Sequence, residues 1–160
     1  METKQTKPFD DRRSLGLSLA ILIFVLAVLA IVVPDALSMR EPDVVKQGAG
    51  VTKVVKLSQY FDGIAGTRGD TDIYVLDSGK PGASALVLGG THGNVPPGFL
   101  AALVLIENAM PTSGKLYVIP FANASTLTHT DYMEGTPRHF TVETAGGPRR
   151  FRYGSRATSP

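Results

Sequence analysis

The chain has no cysteine, and only 19% of its 160 residues are charged. Without cysteine there is no disulfide framework and no thiolate ligand for a metal. The charged fraction falls below the ~25% of soluble domains. A formal net charge of +2 is too small to mark a nucleic-acid-binding protein, so no nucleic-acid partner is expected. Internal repeats are also missing. What takes the place of charge is one long apolar stretch near the start.

Leu15 to Val33 (LGLSLAILIFVLAVLAIVV) runs 19 residues without a charged side chain. At about 1.5 Å rise per residue it spans most of a ~30 Å hydrocarbon core. A cleavable signal peptide has an apolar core of roughly 7–15 residues, shorter than this. The run is therefore read as a retained signal-anchor. The alternative is a secreted protein cut after Ser38, where Ala36-Leu37-Ser38 fits a small-x-small pattern. A buried soluble helix is disfavoured because the run has no polar face. Lys4, Lys7, Arg12 and Arg13 precede it, whereas Pro34 to Val45 holds only Arg40, beside Asp35, Glu41 and Asp43. That asymmetry predicts a cytoplasmic N-terminus and an extracytoplasmic remainder.

The expected organisation is a cytoplasmic segment at 1–14, an anchor at 15–33, a linker at 34–50 and an α/β domain over 51–160. Pro34 is expected to close the membrane helix, and Pro42, Gly48 and Gly50 to keep the linker irregular. Strands are predicted at Val51–Leu57 and Thr71–Asp77, separated by a turn at Asp62–Asp70. Ser78-Gly79-Lys80-Pro81-Gly82 is a further turn. Ser84–Leu88 (SALVL) is short and wholly apolar, which predicts a strand buried on both faces. Pro96 and Pro97 suit the first turn of a helix, continued by the apolar Phe99–Ala109. Gly114–Phe121 is the next strand. Strand, turn, helix and strand over 84–121 form a crossover unit with parallel strands, expected to be right-handed. A strand pair is predicted at Phe140–Glu143 and Arg150–Tyr153. Residues 122–160 offer little cover for so apolar a helix. The sheet is expected to have an unfinished edge, as in the front part of a larger domain.

Chemistry is concentrated in Gly89-Gly90-Thr91-His92-Gly93-Asn94-Val95-Pro96-Pro97-Gly98, between the apolar strand and the helix. Sites in open α/β sheets form at the carboxyl ends of strands, and His92 sits there. A His followed three residues later by Glu can place two ligands on one metal, but here the fourth position is Val95. Glycines 89, 90 and 93 would let backbone pass close to a metal or substrate. The turn lacks the Lys and Ser/Thr of a phosphate-binding loop and the glycine spacing of a dinucleotide site. A strand-to-helix turn with His92 idle remains open. So does a three-histidine site built with His129 and His139, although both are expected in surface loops. The arginines at 149, 150 and 152 read as a solvated hairpin or as a partner for a substrate carboxylate. Asn123-Ala124-Ser125 fits the N-glycosylation pattern.

This motif, the apolar helix and a strand ending Val118-Ile119-Pro120-Phe121-Ala122-Asn123 resemble the succinylglutamate desuccinylase/aspartoacylase family of zinc carboxypeptidase-like hydrolases. The resemblance covers roughly residues 51 to 155. It implies a partial zinc-carboxypeptidase-like α/β domain with a mostly β front end, here behind a transmembrane helix. It implies zinc as cofactor, with His92 as the first metal ligand. Val95 stands at the family's Glu ligand position and Phe121 where an Arg is usual, while Asn123 matches a substrate-binding Asn. The family's second His ligand and its general-base Glu would lie beyond Pro160, so no catalytic residue is assigned. The implied substrate is a small acylated amino acid or a peptide. The chain is thus expected to be the membrane-anchored N-terminal portion of a zinc-dependent amide or peptide hydrolase, inactive in this 160-residue form. The alternatives are a non-enzymatic anchored binding module and a truncated product without function.

Overall fold

A computed structural model describes residues 11–38, 43–127 and 139–156. The chain separates into two compact units, residues 1–38 and 39–160.

The first unit is one helix, α1 (Asp11–Ser38). Within its 25-residue span Ser14–Ser38, the most apolar 18-residue window has a mean hydropathy of 3.1 and no buried residue. That is long and apolar enough to cross a membrane, and a signal sequence has the same character. Pro34 lies inside the helix rather than at its end. Its ring accepts the helical φ, and although a hydrogen bond is lost and the carbonyl four residues back is crowded, the helix continues to Ser38. Ser38 Oγ donates to the Asp35 carbonyl at 2.8 Å.

The second unit is a mixed α/β fold. Its main sheet contains β1 (Val51–Lys56), β2 (Asp72–Asp77), β3 (Ser84–Leu88) and β4 (Lys115–Ile119), in the order β1-β2-β4-β3. β1/β2 and β2/β4 are antiparallel, while β3/β4 is parallel with Leu88 beside Ile119. The parallel pair is joined through α2 (Pro96–Asn108), which has proline at its first two positions. Short 3-10 turns at Leu57–Gln59, Asp62–Ile64 and Ala124–Leu127 went unforeseen.

α2 covers one face of the sheet. Its Ala102 and Ile106 pack on Tyr74, Leu76 and Val118, and most of these side chains are wholly removed from solvent. Each large apolar side chain so buried contributes about 1.5–3 kcal/mol. Contact is close at the strand end: a Cβ on Gly89 would lie 2.7 Å from the Ala102 Cβ. Residues 43–48 form neither helix nor strand, yet they are tied down. The Gly48 N–H donates to the Ile106 carbonyl at 3.1 Å, and Val45 packs against the core.

A second, two-stranded sheet pairs β5 (His139–Val142) antiparallel with β6 (Arg149–Arg152). It supplies cover for α2 that the sequence had not promised. Phe151 is buried with Phe99 and Leu103 of the helix, and Phe140 packs beside them. The Phe99 ring lies 6.2 Å from that of Phe140 and 6.3 Å from that of Phe151. The hairpin is consequently not a solvated one.

The expectation for β3 fails. It is an edge strand, with Leu86 60% and Leu88 56% exposed. An apolar run specifies a strand but not its position in the sheet. Here β2 and β4 take the centre, and among the described residues only one face is covered by a helix.

Candidate functional site

The carboxyl ends of the parallel strands bring two loops together. The Gly89 N–H donates to the Ile119 carbonyl at 2.8 Å, the Ala122 N–H to Gly89 at 2.8 Å, and the Asn123 N–H to Gly90 at 3.2 Å. Gly90 holds φ +63°, a left-handed conformation that glycine adopts without steric cost. The His92 turn and the Asn123 turn are therefore neighbours through backbone bonds.

A third segment joins them. The Gly93 N–H donates to the Ser155 carbonyl, and the Gly154 N–H to that of Gly93, both at 3.1 Å. The Ser155 N–H donates to Thr126 at 2.9 Å. A Cβ on Gly93 would fall 2.8 Å from the Thr126 carbonyl oxygen. The space that Gly93 leaves is thus filled by this chain's own backbone, where the sequence had reserved it for a metal or substrate.

His92 lies exposed in this turn. Its carbonyl accepts the Val95 N–H at 3.1 Å, so positions 92 and 95 close one turn at the start of α2. Val95 is the residue before the first helical turn, makes no side-chain cap and is 42% exposed. Asn94 Oδ1 is buried without a hydrogen-bond partner. The Asn123 side chain is half-buried, and its Oδ1 accepts the Ser125 hydroxyl at 2.9 Å. Phe121, at the arginine position of the resemblance, is a member of the aromatic cluster, with its ring 5.8 Å from Phe99.

The described residues do not bring together the donors of a zinc site. Catalytic zinc needs about three protein donors. Val95 has none to give, and no group of three His, Asp, Glu or Cys side chains stands together among the described residues. His139 belongs to β5, where its Nδ1 lies 2.8 Å from an Arg150 guanidinium nitrogen. His129 lies outside the described residues.

A cleft of about 390 Å3 opens on the side of the unit lined by Asp43, Lys56, Asp70, Asp72, Phe121 and Arg152, among others. Neither His92 nor Asn123 lines it. Lys56 pairs with Asp72 at 2.8 Å. Asp70 accepts the Ser58 N–H at 2.9 Å, and that bond holds its carboxyl below the usual range. Asp43 and Arg152 meet at 3.4 Å with both side chains 9% exposed, and Arg152 also donates to the Leu127 carbonyl at 3.2 Å. Burial pushes the Asp43 carboxyl up, against the opposing pull of Arg152. The same burial draws Arg152 down, against the pull of Asp43. Sequence reasoning missed this pair, having counted Asp43 only as a charge flanking the apolar run.

The other arginines of the hairpin are also engaged. Arg149 bonds Glu107 at 2.6 Å and lies 5.2 Å from the centre of the Phe151 ring. No protein-family model matches the chain, and neither the curated proteins nor the solved structures provide a match.

Proposed function

We propose that residues 43–156 form a hydrolase-like α/β module of the succinylglutamate desuccinylase/aspartoacylase lineage. In this proposal α1 anchors it in a membrane, with the N-terminus in the cytoplasm. The module binds a small acylated amino acid or peptide at the strand-end loops without cleaving it. The supporting observation is the junction of the two loops, with His92 and Val95 closing one turn. That is the scaffold on which a His and a Glu would share a metal, and it carries valine where the second donor belongs. One imidazole does not hold zinc against water, and the missing carboxylate would also have offset the cation's charge. Zinc hydrolysis is then ancestral to the fold, and what this chain retains is a shaped turn beside Asn123.

The test uses the full chain in detergent. The unsubstituted protein is expected to leave N-succinyl and N-acetyl amino acids intact. Val95→Glu is expected to raise zinc affinity about tenfold or more, read by calorimetry, with the gain lost in His92→Ala/Val95→Glu. Zinc-dependent turnover by the unsubstituted chain, abolished by His92→Ala, would overturn the proposal.

A further inference from the structure

The two edges of the main sheet are built differently. β1 has a register shift between Val51 and Lys53 and carries Lys53 and Lys56, features that blunt an edge against pairing. β3 (Ser84-Ala85-Leu86-Val87-Leu88) has no charge and no proline, and its register with β4 is unbroken. Among the described residues it has a strand on one side only.

Its open side can be read from the bonds at its ends. The Lys115 N–H donates to the Ala83 carbonyl at 3.1 Å, and the Gly89 N–H to the Ile119 carbonyl at 2.8 Å. Alternate residues of a strand address opposite neighbours, so the odd positions face β4. Ser84, Leu86 and Leu88 present their N–H and C=O groups to the open side. The Leu86 and Leu88 side chains, 60% and 56% exposed, stand beside Tyr117 and Ile119 in register. These form an apolar strip that runs to the edge and stops.

We propose that β3 pairs antiparallel with β3 of a second copy of this chain, about a two-fold axis at Leu86. Self-pairing sets Leu86 opposite Leu86 and Ser84 opposite Leu88, all of them residues whose backbone groups point outward. Each such pair exchanges two hydrogen bonds. About a two-fold axis a charge near the centre lies close to its own copy, and like charges across strands are destabilising. β3 has no charge to repel, whereas β1 would bring lysines together. The apolar strip continues across the joint, so the contact covers side chains as well as backbone. The inference rests on the sheet alone and is independent of the reading of the His92 turn.

The absence of cysteine makes the test direct. The full chain is purified in detergent, and its mass is measured by light scattering. Opposed Cα atoms in a hydrogen-bonded pair lie about 5.5 Å apart, within disulfide range. Leu86→Cys is therefore expected to cross-link under mild oxidation at least about tenfold faster than Lys53→Cys on the other edge. Ser84→Cys and Leu88→Cys are each expected to cross-link poorly alone and readily when mixed. Leu86→Lys, a change at an exposed position, is expected to give a monomer with unchanged circular dichroism. A monomer at all concentrations overturns the proposal. So does a dimer in which Leu86→Cys cross-links no faster than Lys53→Cys. If Leu86→Lys fails to fold, the cross-linking register decides.

Discussion

Asp43 and Arg152 show what a buried charge pair does to its surroundings. Both side chains are 9% exposed, and burial disfavours the ionised form of each. Removing one partner leaves the other charged, buried and uncompensated. Asp43→Ala and Arg152→Ala are each expected to cost about 3–5 kcal/mol in urea unfolding, while Asp43→Leu/Arg152→Met is expected to be neutral or stabilising by up to about 4 kcal/mol. Additive losses in the double variant would show that the pair is not coupled. The sign with pH follows from the raised folded-state pKa of Asp43. Its share of stability is fullest below the ordinary aspartate value of 3.8 and declines as pH rises through the folded-state value. Nothing in the sequence announced this pair, because it joins an irregular segment to a distant strand and no periodicity connects them. Val95 is the opposite case: the resemblance sets it at the family's Glu position, and that substitution could be read from the sequence.

At the scale of elements, α2 carries the load. It faces the main sheet through Ala102 and Ile106 and the hairpin through Phe99 and Leu103. Ile106→Ala is expected to destabilise by about 2–5 kcal/mol. Val104→Ala, at a position 60% exposed, is expected to stay within about 0.5 kcal/mol. Similar losses at the two positions, measured by thermal unfolding, would mean that the helix is packed otherwise. The strands and this helix were legible because each has a local signature: alternation in β2, a short apolar run in β3, prolines at the helix start. The placing of β3 at the edge was not, since strand order is set by pairings between distant segments. Neither was the hairpin's cover of α2. Its phenylalanines alternate with polar residues as in any half-exposed strand pair, and their docking partner is a helix more than thirty residues away. At the candidate site, the sequence singled out His92 and the resemblance Asn123, but neither announced the Gly93–Gly154 contact that fills the turn from behind.

For the molecule as a whole, α1 is the feature that decides location. The proposed orientation rests on four basic residues before the apolar run against one in the twelve residues after it. A tag placed ahead of Met1 is expected to be protected from protease added to intact cells, while the α/β unit is digested. Digestion of the tag with protection of the α/β unit would reverse the orientation. Loss of both the tag and the apolar run from the mature protein would show a cleaved signal.

The clasp between Asp43 and Arg152 also sets an order of events during synthesis. The two residues are about 110 positions apart, and closing so long a loop is slow relative to local structure. The segment at 43–48 emerges from the ribosome first, while β6, its partner, emerges about a hundred residues later. Until then Phe99 and Leu103 lack the hairpin that covers them, and the nascent unit presents bare apolar helix to its surroundings. The unit is therefore at its most vulnerable to chaperone capture or aggregation in the interval before residue 152 is translated.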